Sequence, residues 1–336
     1  MTTKLSDFDY FLPPDQIAQT PLEPRDASRL MVVEREKRSI AHTNFTQIID
    51  YFQPGDLLVV NQTRVIPVRL YAKKVPTGGK VEVLLLNQRD ELTWEAWVGG
   101  SRMTEGKRFE LENELEGKIV AVLEGAGRLV RFEQPINQLL NQVGSIPLPP
   151  YIHTKLDNPE RYQTVYAKAP GSAAAPTAGL HFTPELLDSL QAKGVSVASV
   201  TLHVGLDTFA PVVEENVLEH EIHTEWCEMT EKTAQKVNST KSNGGRVIVV
   251  GTTSVRVIES ASRNTQDGQL VSPYSGATDL FILPGYKFKA VDAMLTNFHL
   301  PKSTLLMMVS AFADRELIFQ AYQTAIQEEY RFYSFG

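Results

Sequence analysis

The chain has 336 residues, a formal net charge of −7 and 42% hydrophobic residues, which is typical of a soluble globular protein with one or two domains. The acidic balance argues against a protein that coats nucleic acid through bulk positive charge. The apolar runs are too short for a membrane-spanning helix, and the first residues lack the apolar segment of a signal peptide. The single cysteine, Cys227, allows no disulfide within the chain. These features predict a cytoplasmic protein.

The first third of the chain is dominated by β patterns. Residues 29–34 and 39–43 alternate around a polar turn and predict a hairpin. A helical pattern over 45–52 stops at a Gln-Pro-Gly turn, and 57–60 predicts a buried strand. Six short β-rich segments then follow at regular spacing, which predicts a small antiparallel barrel or sandwich: 68–75, 80–87, 92–98, 107–111, 118–123 and 128–133.

The remainder of the chain alternates strands and helices. Thr183, Pro184 and Gly194 are typical of the start and end of a helix over 184–193. We expect strands at 195–203, 246–250 and 280–283, and further helices from 251 to about 262, over 303–313 and over 315–330. The predicted fold is an α/β domain, with a mixed sheet and flanking helices, built from 1–64 and 153–336. A small antiparallel β-barrel domain, 65–152, is inserted into it.

The segment GSAAAPTAGLHF, residues 171–182, contains small residues and almost no charge, and it ends with His181 beside Phe182. Small side chains let a backbone approach a ligand closely. We therefore expect this segment to bring His181 to a substrate pocket.

Five of the seven histidines fall between residues 181 and 299: His181, His203, His220, His223 and His299. His203 ends a predicted strand, and ligands of open α/β sheets bind beyond the carboxyl ends of the strands. His220 and His223 lie three residues apart, but the zinc-protease pattern His-Glu-x-x-His is absent. Polar lining of a pocket, or hydrogen bonding to residues that themselves contact a ligand, is the favoured interpretation, and a metal-dependent hydrolase is an alternative.

Residues 251–254, Gly-Thr-Thr-Ser, lie between a predicted strand and helix, where backbone N–H groups bind an anion or simply cap the helix. The phosphate-loop, dinucleotide-binding and serine-hydrolase glycine motifs are absent. Tyr162 and Tyr166, four residues apart, are predicted to share a helical edge that packs or stacks on a nucleobase. Between residues 57 and 81 there are basic but no acidic residues, so this stretch is a solvated barrel surface or a phosphate-contacting stripe.

Taken together, the segments resemble one family, the S-adenosylmethionine:tRNA ribosyltransferase-isomerases of queuosine biosynthesis. The matching stretches run in order along nearly the whole chain: FDYFLP (8–13), IAQ (17–19), RDASRL (25–30), GDLLV (55–59), NQTRVIP (61–67), PLPPYI (147–152), RYQTVYA (161–167), 171–183, LHVG (202–205), VGTTSVR (250–256), TNFHLP (296–301) and YRF (330–332).

The resemblance implies transfer and isomerisation of the ribosyl group of S-adenosylmethionine onto the 7-aminomethyl group of a 7-deazaguanine at the wobble position of tRNA. The product is epoxyqueuosine, and adenine and methionine are released. S-adenosylmethionine would be a consumed substrate, with no other cofactor and no metal. We expect a monomer that binds this tRNA and no membrane. Two departures are Asp207, where the family usually has glycine, and the ending Ser334-Phe-Gly336, where relatives continue with Asp-Ala-Met.

This resemblance gives the candidate residues their expected roles. The proposed general base is His181 or His203, with His299 third, because histidine titrates near neutral pH. Asn297 or another histidine would assist the departure of adenine. Further substrate-binding candidates are Arg64, Tyr162, Gln163, Tyr166, Pro176, Thr177, Gly179, Leu180, Phe182, Gly205, Gly251, Thr252, Thr253 and Ser254, and the tRNA-binding candidates are Arg69, Lys73, Lys74 and Lys80. A non-catalytic RNA-binding module remains an alternative.

Overall fold

A computed structural model describes residues 4–205, 212–263, 265 and 268–336. The chain divides into two compact units. The first, here the α/β unit, comprises Met1–Arg64, Pro150–Ala169 and Ala175–Gly336, and the second, here the barrel unit, comprises Val65–Pro149 and Pro170–Ala174. The division expected from the sequence, at residues 64/65 and 152/153, stays a prediction.

The described residues form strands and helices as follows. The strands are β1 (Arg29–Glu34), β2 (Ser39–Asn44), β3 (Leu57–Asn61), β4 (Thr63–Val65), β5 (Arg69–Val75), β6 (Lys80–Gln88), β7 (Thr93–Gly99), β8 (Arg108–Leu111), β9 (Glu116–Val122), β10 (Gly127–Phe132), β11 (Gly144–Ser145), β12 (Ala169–Ser172), β13 (Ser196–Leu202), β14 (Glu225–Met229), β15 (Val247–Val250), β16 (Tyr274–Thr278) and β17 (Ala293–Leu295). The α-helices are α1 (Leu140–Val143), α2 (Pro184–Ala192), α3 (Glu231–Ser242), α4 (Gly251–Ala261), α5 (Thr304–Ala313) and α6 (Arg315–Gln327). Short 3₁₀ helices include Arg25–Ala27, Phe45–Tyr51, Pro159–Tyr162 and Thr177–His181.

A six-stranded mixed sheet forms the centre of the α/β unit, in the order β16-β14-β13-β3-β15-β17. Strands β13, β3, β15 and β17 are parallel, whereas β14 and β16 are antiparallel to their neighbours. Every residue of β3 and β15 is buried, as expected for parallel strands that are covered on both faces. The carboxyl ends of the four parallel strands therefore lie along one edge of the sheet.

Helices cover this sheet and fix its position in the unit. Leu58 and Val60 of β3 pack with α2 and with the 3₁₀ helix Phe45–Tyr51. Helices α3 and α4 also pack on β3, β13 and β15. Ten of the eleven residues of α4 are buried. Among them is Glu259, whose carboxylate accepts hydrogen bonds from the Tyr286 hydroxyl and from the backbone N–H groups of residues 289–291.

The barrel unit contains a closed antiparallel barrel. Neighbouring strands follow the order β5-β6-β7-β10-β9-β8, β8 pairs back with β5, and β11 adds to β5. Alternate residues of the strands point inward, and Leu70, Val83, Phe109 and Ile119 are fully buried there. The expected fold class, a mixed α/β sheet with a small antiparallel barrel, is confirmed.

Two expectations about local structure were wrong. Residues 280–283 form no strand, although Leu280 and Ile282 are buried; the sheet instead ends at β17, whose three half-buried residues gave no strand signal. Tyr162 and Tyr166 do not share a helical edge, because the 3₁₀ helix ends at Tyr162. In contrast, the Thr183 side chain caps α2 by accepting a hydrogen bond from the Leu186 N–H, as expected.

Candidate active site

Several candidate residues follow the parallel strands at the carboxyl edge of the sheet. His203 and Gly205 come after β13, Gly251 begins α4 directly after β15, and Asn297 comes after β17. The 3₁₀ helix Thr177–His181 packs on α4. This is the part of an open α/β sheet where ligands bind.

Asn297 connects this edge to two other segments. Its Oδ1 accepts a hydrogen bond from Thr177 Oγ1 at 2.9 Å, and its Nδ2 donates to the backbone oxygen of Tyr333 at 3.1 Å. Both amide atoms are thereby oriented. One N–H and one acceptor lone pair of the amide remain for further bonds.

A cavity of about 570 Å³ lies in the α/β unit, with His181 and Asn297 in its wall. It follows the edge strand β17 on one side and β1 on the other. Much of the remaining lining is apolar or aromatic and includes Phe45, Ala178, Met294, Phe298, Phe312 and Tyr322. An apolar cavity of this size with a few polar groups is typical of a small-molecule site.

The His181 imidazole is half-buried and held by specific contacts. Its Nδ1 lies 2.9 Å from Ser28 Oγ and 3.4 Å from the Arg25 backbone oxygen. Partial desolvation lowers the pKa of His181 to about 4, and the charges of Arg331 and Arg25 lower it further. Hydrogen bonds of the imidazole to the backbone of Arg25 and Gly336 act in the opposite direction. His181 is therefore neutral at pH 7 and can accept a proton.

Sequence reasoning overlooked Ser28 and Arg25 as parts of this site. The Arg25 guanidinium donates to the backbone oxygens of Gln163 at 2.9 Å, Leu180 at 3.1 Å and Glu160 at 3.0 Å. It thus holds the segment that carries His181, while Ser28 contacts the ring itself. The signal was present, because both residues belong to RDASRL, one of the stretches that carried the family resemblance.

His299 occupies a separate setting from His181. It is buried outside the lining of the cavity, its Nε2 lies 2.7 Å from Thr296 Oγ1, and its backbone N–H donates to the Tyr322 hydroxyl at 2.8 Å. Burial lowers its pKa to about 3. These contacts give His299 a packing and hydrogen-bonding role in the strand-end segment.

His203 also lies outside the cavity lining. Its ring stacks on Trp226 with centroids 5.3 Å apart, and its Nδ1 lies 2.8 Å from Thr63 Oγ1. Burial lowers the pKa of His203, and the charge of Glu228 acts in the opposite direction. The structure therefore does not gather His181, His203 and His299 around the His181 cavity.

At Gly179, in the small-residue segment, the backbone is packed closely against a side chain of the protein itself. A Cβ atom at this position would lie 2.0 Å from the Tyr166 hydroxyl oxygen and 2.9 Å from Thr164 Cγ2. The glycine thus permits close packing of a tyrosine rather than of a ligand. Tyr162, Leu180 and Phe182 are core residues, and Pro176 directly precedes the 3₁₀ helix Thr177–His181.

Four buried hydroxyls near this segment have no hydrogen-bond partner among the described residues: those of Tyr162, Thr164, Tyr166 and Thr253. Thr253 lies in the first turn of α4, where Thr252 is buried and Ser254 Oγ donates to the Val250 backbone oxygen at 2.7 Å. Buried polar atoms normally have partners. Thr164, Tyr166 and Thr253 all lie outside the lining of the cavity of about 570 Å³.

Gly205 leads to a buried ion pair that the sequence did not suggest. The Gly205 N–H donates to Glu225 Oε1 at 3.0 Å, and the Arg256 guanidinium donates to the other carboxylate oxygen. Burial acts to raise the pKa of Glu225, but the hydrogen bond with His223 and the charge of Arg256 hold it below its usual value. Asp207 lies outside the described residues.

The histidine pair considered for a metal site is engaged elsewhere. His220 Nδ1 lies 2.8 Å from a Glu214 carboxylate oxygen, and His223 Nε2 lies 3.7 Å from Glu225. Over residues 4–205, 212–263, 265 and 268–336, no three His, Cys, Asp or Glu side chains form a possible metal site. In the same part of the chain, no helix combines the length and apolarity that crossing a membrane requires.

The basic candidates have unequal surroundings. Arg64 forms an ion pair with Glu160 at 2.5 Å, and Arg69 forms one with Glu82 at 3.1 Å. Lys74 Nζ donates to the Ser101 backbone oxygen at 2.5 Å. Lys73 and Lys80 are exposed and lie opposite each other on β5 and β6.

Comparisons with known proteins agree with this architecture. A family model described as queuosine biosynthesis protein matches residues 5–336. The S-adenosylmethionine:tRNA ribosyltransferase-isomerase of Acetivibrio thermocellus is 52% identical, and that of Carboxydothermus hydrogenoformans 54% identical, each over 99% of this chain and 98% of the relative. The crystal structure of a Thermotoga maritima S-adenosylmethionine tRNA ribosyltransferase is 38% identical, covers 98% of both chains and has a TM-score of 0.57. The chain therefore belongs to the S-adenosylmethionine:tRNA ribosyltransferase-isomerase family of queuosine biosynthesis.

Proposed function

We propose that this chain transfers and isomerises the ribosyl group of S-adenosylmethionine onto the 7-aminomethyl-7-deazaguanine of a tRNA wobble position, releasing adenine and methionine. The names of relatives at 52% and 54% identity support the reaction. The observation that carries the placement of the chemistry is His181, a neutral imidazole in the wall of a cavity of about 570 Å³.

In this proposal His181 accepts a proton from C5′ of the ribose, whose C–H bonds are acidified by the adjacent sulfonium. The electron pair left at C5′ opens the sugar ring at C4′, and the ring oxygen forms a carbonyl at C1′ as adenine leaves. The neutral aminomethyl group adds to C4′ of the resulting vinyl sulfonium and loses a proton, and the carbanion that this leaves at C5′ attacks the C1′ carbonyl and closes the five-membered carbon ring. The oxygen on C1′ then displaces methionine from C5′, which forms the epoxide. An imidazole with a pKa of about 4 is a weak base, so close positioning by Ser28 must contribute.

Asn297 is suited to the adenine leaving group. With one bond made by each amide atom, it keeps a donor and an acceptor, the pair by which asparagine contacts N7 and N6 of adenine. The first turn of α4, from Gly251 to Ser254, or Arg64 would hold the methionine carboxylate. His203 and His299 are the less favoured bases, because neither lines the cavity.

Release of free adenine tests this function. Purified protein is incubated with S-adenosylmethionine and tRNA carrying the aminomethyl base, and adenine is measured by chromatography. Loss of a general base costs typically 10²- to 10⁴-fold in rate, so His181→Ala should lose about that much, and Ser28→Ala roughly tenfold because the ring loses its hydrogen bond. His153→Ala, at an exposed histidine, should match wild type. A near-wild-type rate for His181→Ala would contradict the assignment of the base.

The barrel residues Arg69, Lys73, Lys74 and Lys80 are proposed to contact tRNA phosphates. We further propose that the protein acts as a monomer in the cytoplasm and needs no cofactor or metal besides the consumed S-adenosylmethionine. The alternative metal-dependent hydrolase predicts that a chelator abolishes activity. Our proposal predicts the same adenine release with and without the chelator, provided that Mg²⁺ needed for tRNA folding is supplied in both arms.

A further inference from the structure

Two large aromatic side chains stand on the outer surface of the barrel. Tyr71 is 54% exposed and Trp97 is 36% exposed. Tyr71 lies between the buried Leu70 and Ala72 of β5, and Trp97 lies between buried residues of β7. Because successive strand residues point to opposite faces, both rings point away from the barrel interior. Burying the barrel core therefore does not account for them.

The strand register places few side chains around the exposed part of Trp97. Trp97 pairs with Gly127 on β10 and with Leu84 on β6. Gly99 is the next residue of β7 that points to the same face. Two of the positions around the indole thus have no side chain, while Leu84 provides an apolar neighbour. The ring is open to a flat partner.

Positive charge surrounds the second ring. Arg69 and Lys73 flank Tyr71 on the same face of β5, and Lys80 lies directly opposite Lys73 on β6. Two carboxylates are also present, Glu82 opposite Tyr71 and Glu110 opposite Lys73. Arg69 pairs with Glu82 at 3.1 Å. Glu95, two residues before Trp97 on β7, pairs with Arg89. With these pairs balanced, Lys73 and Lys80 against Glu110 leave a surplus of one positive charge on this face.

We propose that this face, made of Arg69, Tyr71, Lys73, Lys80 and Trp97, binds unpaired nucleotides of the tRNA anticodon loop. Exposed aromatic rings stack on any base, and neighbouring cations contact the phosphates. Bases within a duplex are already stacked on each other, so such rings select single-stranded nucleotides. The inference rests on the proposed function, since the wobble base lies in that loop. It adds a stacking surface on two strands, β5 and β7, separated by about two inter-strand spacings of 4.8 Å.

Binding measurements with the full chain test this surface. The probes are a complete tRNA, its isolated anticodon stem-loop and an RNA duplex of equal length. Tyr71→Ala and Trp97→Ala should each weaken binding of tRNA and stem-loop by about 5- to 100-fold. Tyr71→Phe and Trp97→Phe, which keep a ring, should recover most of this loss. The salt slope, that is, the slope of the logarithm of the binding constant against the logarithm of the salt concentration, should not change in any of these variants, because no phosphate contact is removed.

A matched control is Phe11→Ala, at an aromatic residue of the α/β unit that is 80% exposed, which should bind tRNA as wild type does. Unaltered binding by both alanine variants would overturn the proposal. So would duplex binding as tight as that of the stem-loop, or alanine variants that change only self-association of the protein, which would indicate a protein partner. If wild type binds through this face but releases no adenine, the proposed function fails while the stacking surface stands.

Discussion

The α/β unit and the barrel unit place the same kind of ion pair in opposite environments. Glu225 and Arg256 of the α/β unit have side chains that are 4% and 6% exposed, whereas Glu82 and Arg69 of the barrel unit are 48% and 26% exposed. All seven histidines also belong to the α/β unit. The proton transfer that we propose belongs to the unit with the buried ion pair, and the phosphate contacts that we propose belong to the unit with the exposed one.

The largest expected difference between the two units is the loss of unfolding free energy when each ion pair is broken. Arg256→Met leaves the Glu225 carboxylate buried without its cation, and such a change typically costs about 3–5 kcal/mol of unfolding free energy. Arg69→Met removes a solvent-exposed pair and should cost less than about 1 kcal/mol. Urea denaturation of both variants measures these values. Equal losses would show that the two environments do not differ as described.

Acid should weaken the α/β unit first. His181 and His299 have pKa values of about 4 and about 3 in the folded protein, against about 6.5 when unfolded. Below pH 6.5 the unfolded chain binds protons that the folded chain does not. Stability is therefore complete above that pH and is lost as the pH falls towards the folded values, by about 2 kcal/mol for each histidine at pH 5.

Urea denaturation at pH 7.5 and at pH 5 measures this loss of unfolding free energy. In the His299→Gln variant, the difference in unfolding free energy between the two pH values should be about half of that in wild type. The barrel unit has no histidine. In a Trp226→Phe background, which removes the tryptophan of the α/β unit, the fluorescence of Trp94 and Trp97 reports on unfolding of the barrel unit separately from circular dichroism of the helices. A barrel signal that changes before the helical signal on acidification would contradict the comparison.

Gly179 tests how closely the α/β unit is packed. An added Cβ would overlap the Tyr166 hydroxyl, and overpacking of this kind costs typically 1–3 kcal/mol. Gly179→Ala should therefore lower the melting temperature and the rate of adenine release together. The control is Gly205→Ala, where no atom lies within 4 Å of the added Cβ. A melting temperature of Gly179→Ala equal to that of the control would refute the steric argument.

The smallest effect concerns the lysines of the barrel surface. Lys73→Gln and Lys80→Gln should each weaken tRNA binding only a few-fold but reduce the salt slope by about 1, because each removes one phosphate contact. Lys74→Gln should change the slope less, since its amine already donates to Ser101. A titration of the dissociation constant against salt concentration distinguishes the three. Equal slopes for all three variants would remove Lys73 and Lys80 from the proposed contact surface.

Local pattern was sufficient for the barrel strands and for the hairpin β1–β2, because each has its own alternation and turn residues. It failed at β17, because three half-buried residues show no alternation of buried and exposed positions. It also failed at 280–283, where an apolar segment was interpreted as a strand although it pairs with no other strand. Identifying a short edge strand requires knowledge of its neighbour, which lies far away in the sequence.

The sequence suggested residue types for the site but not their spatial arrangement. The small-residue segment pointed to His181, and the structure places that residue in a cavity wall. The contact between Ser28 and His181 joins residues 153 positions apart, and the exposed row of Tyr71 and Trp97 depends on a register that single strands do not reveal. Likewise, histidine content alone did not show that His203 and His299 are held in separate surroundings.

Helix α4 connects several of these features. Its first turn lies at the strand ends, its middle binds Glu225 through Arg256, and Glu259 near its end holds the 286–291 loop. Amide groups of so enclosed a helix exchange with deuterium only when the surrounding structure opens. The α4 amides should consequently be among the last in the chain to exchange, and their rate would report global opening of the α/β unit instead of local fraying.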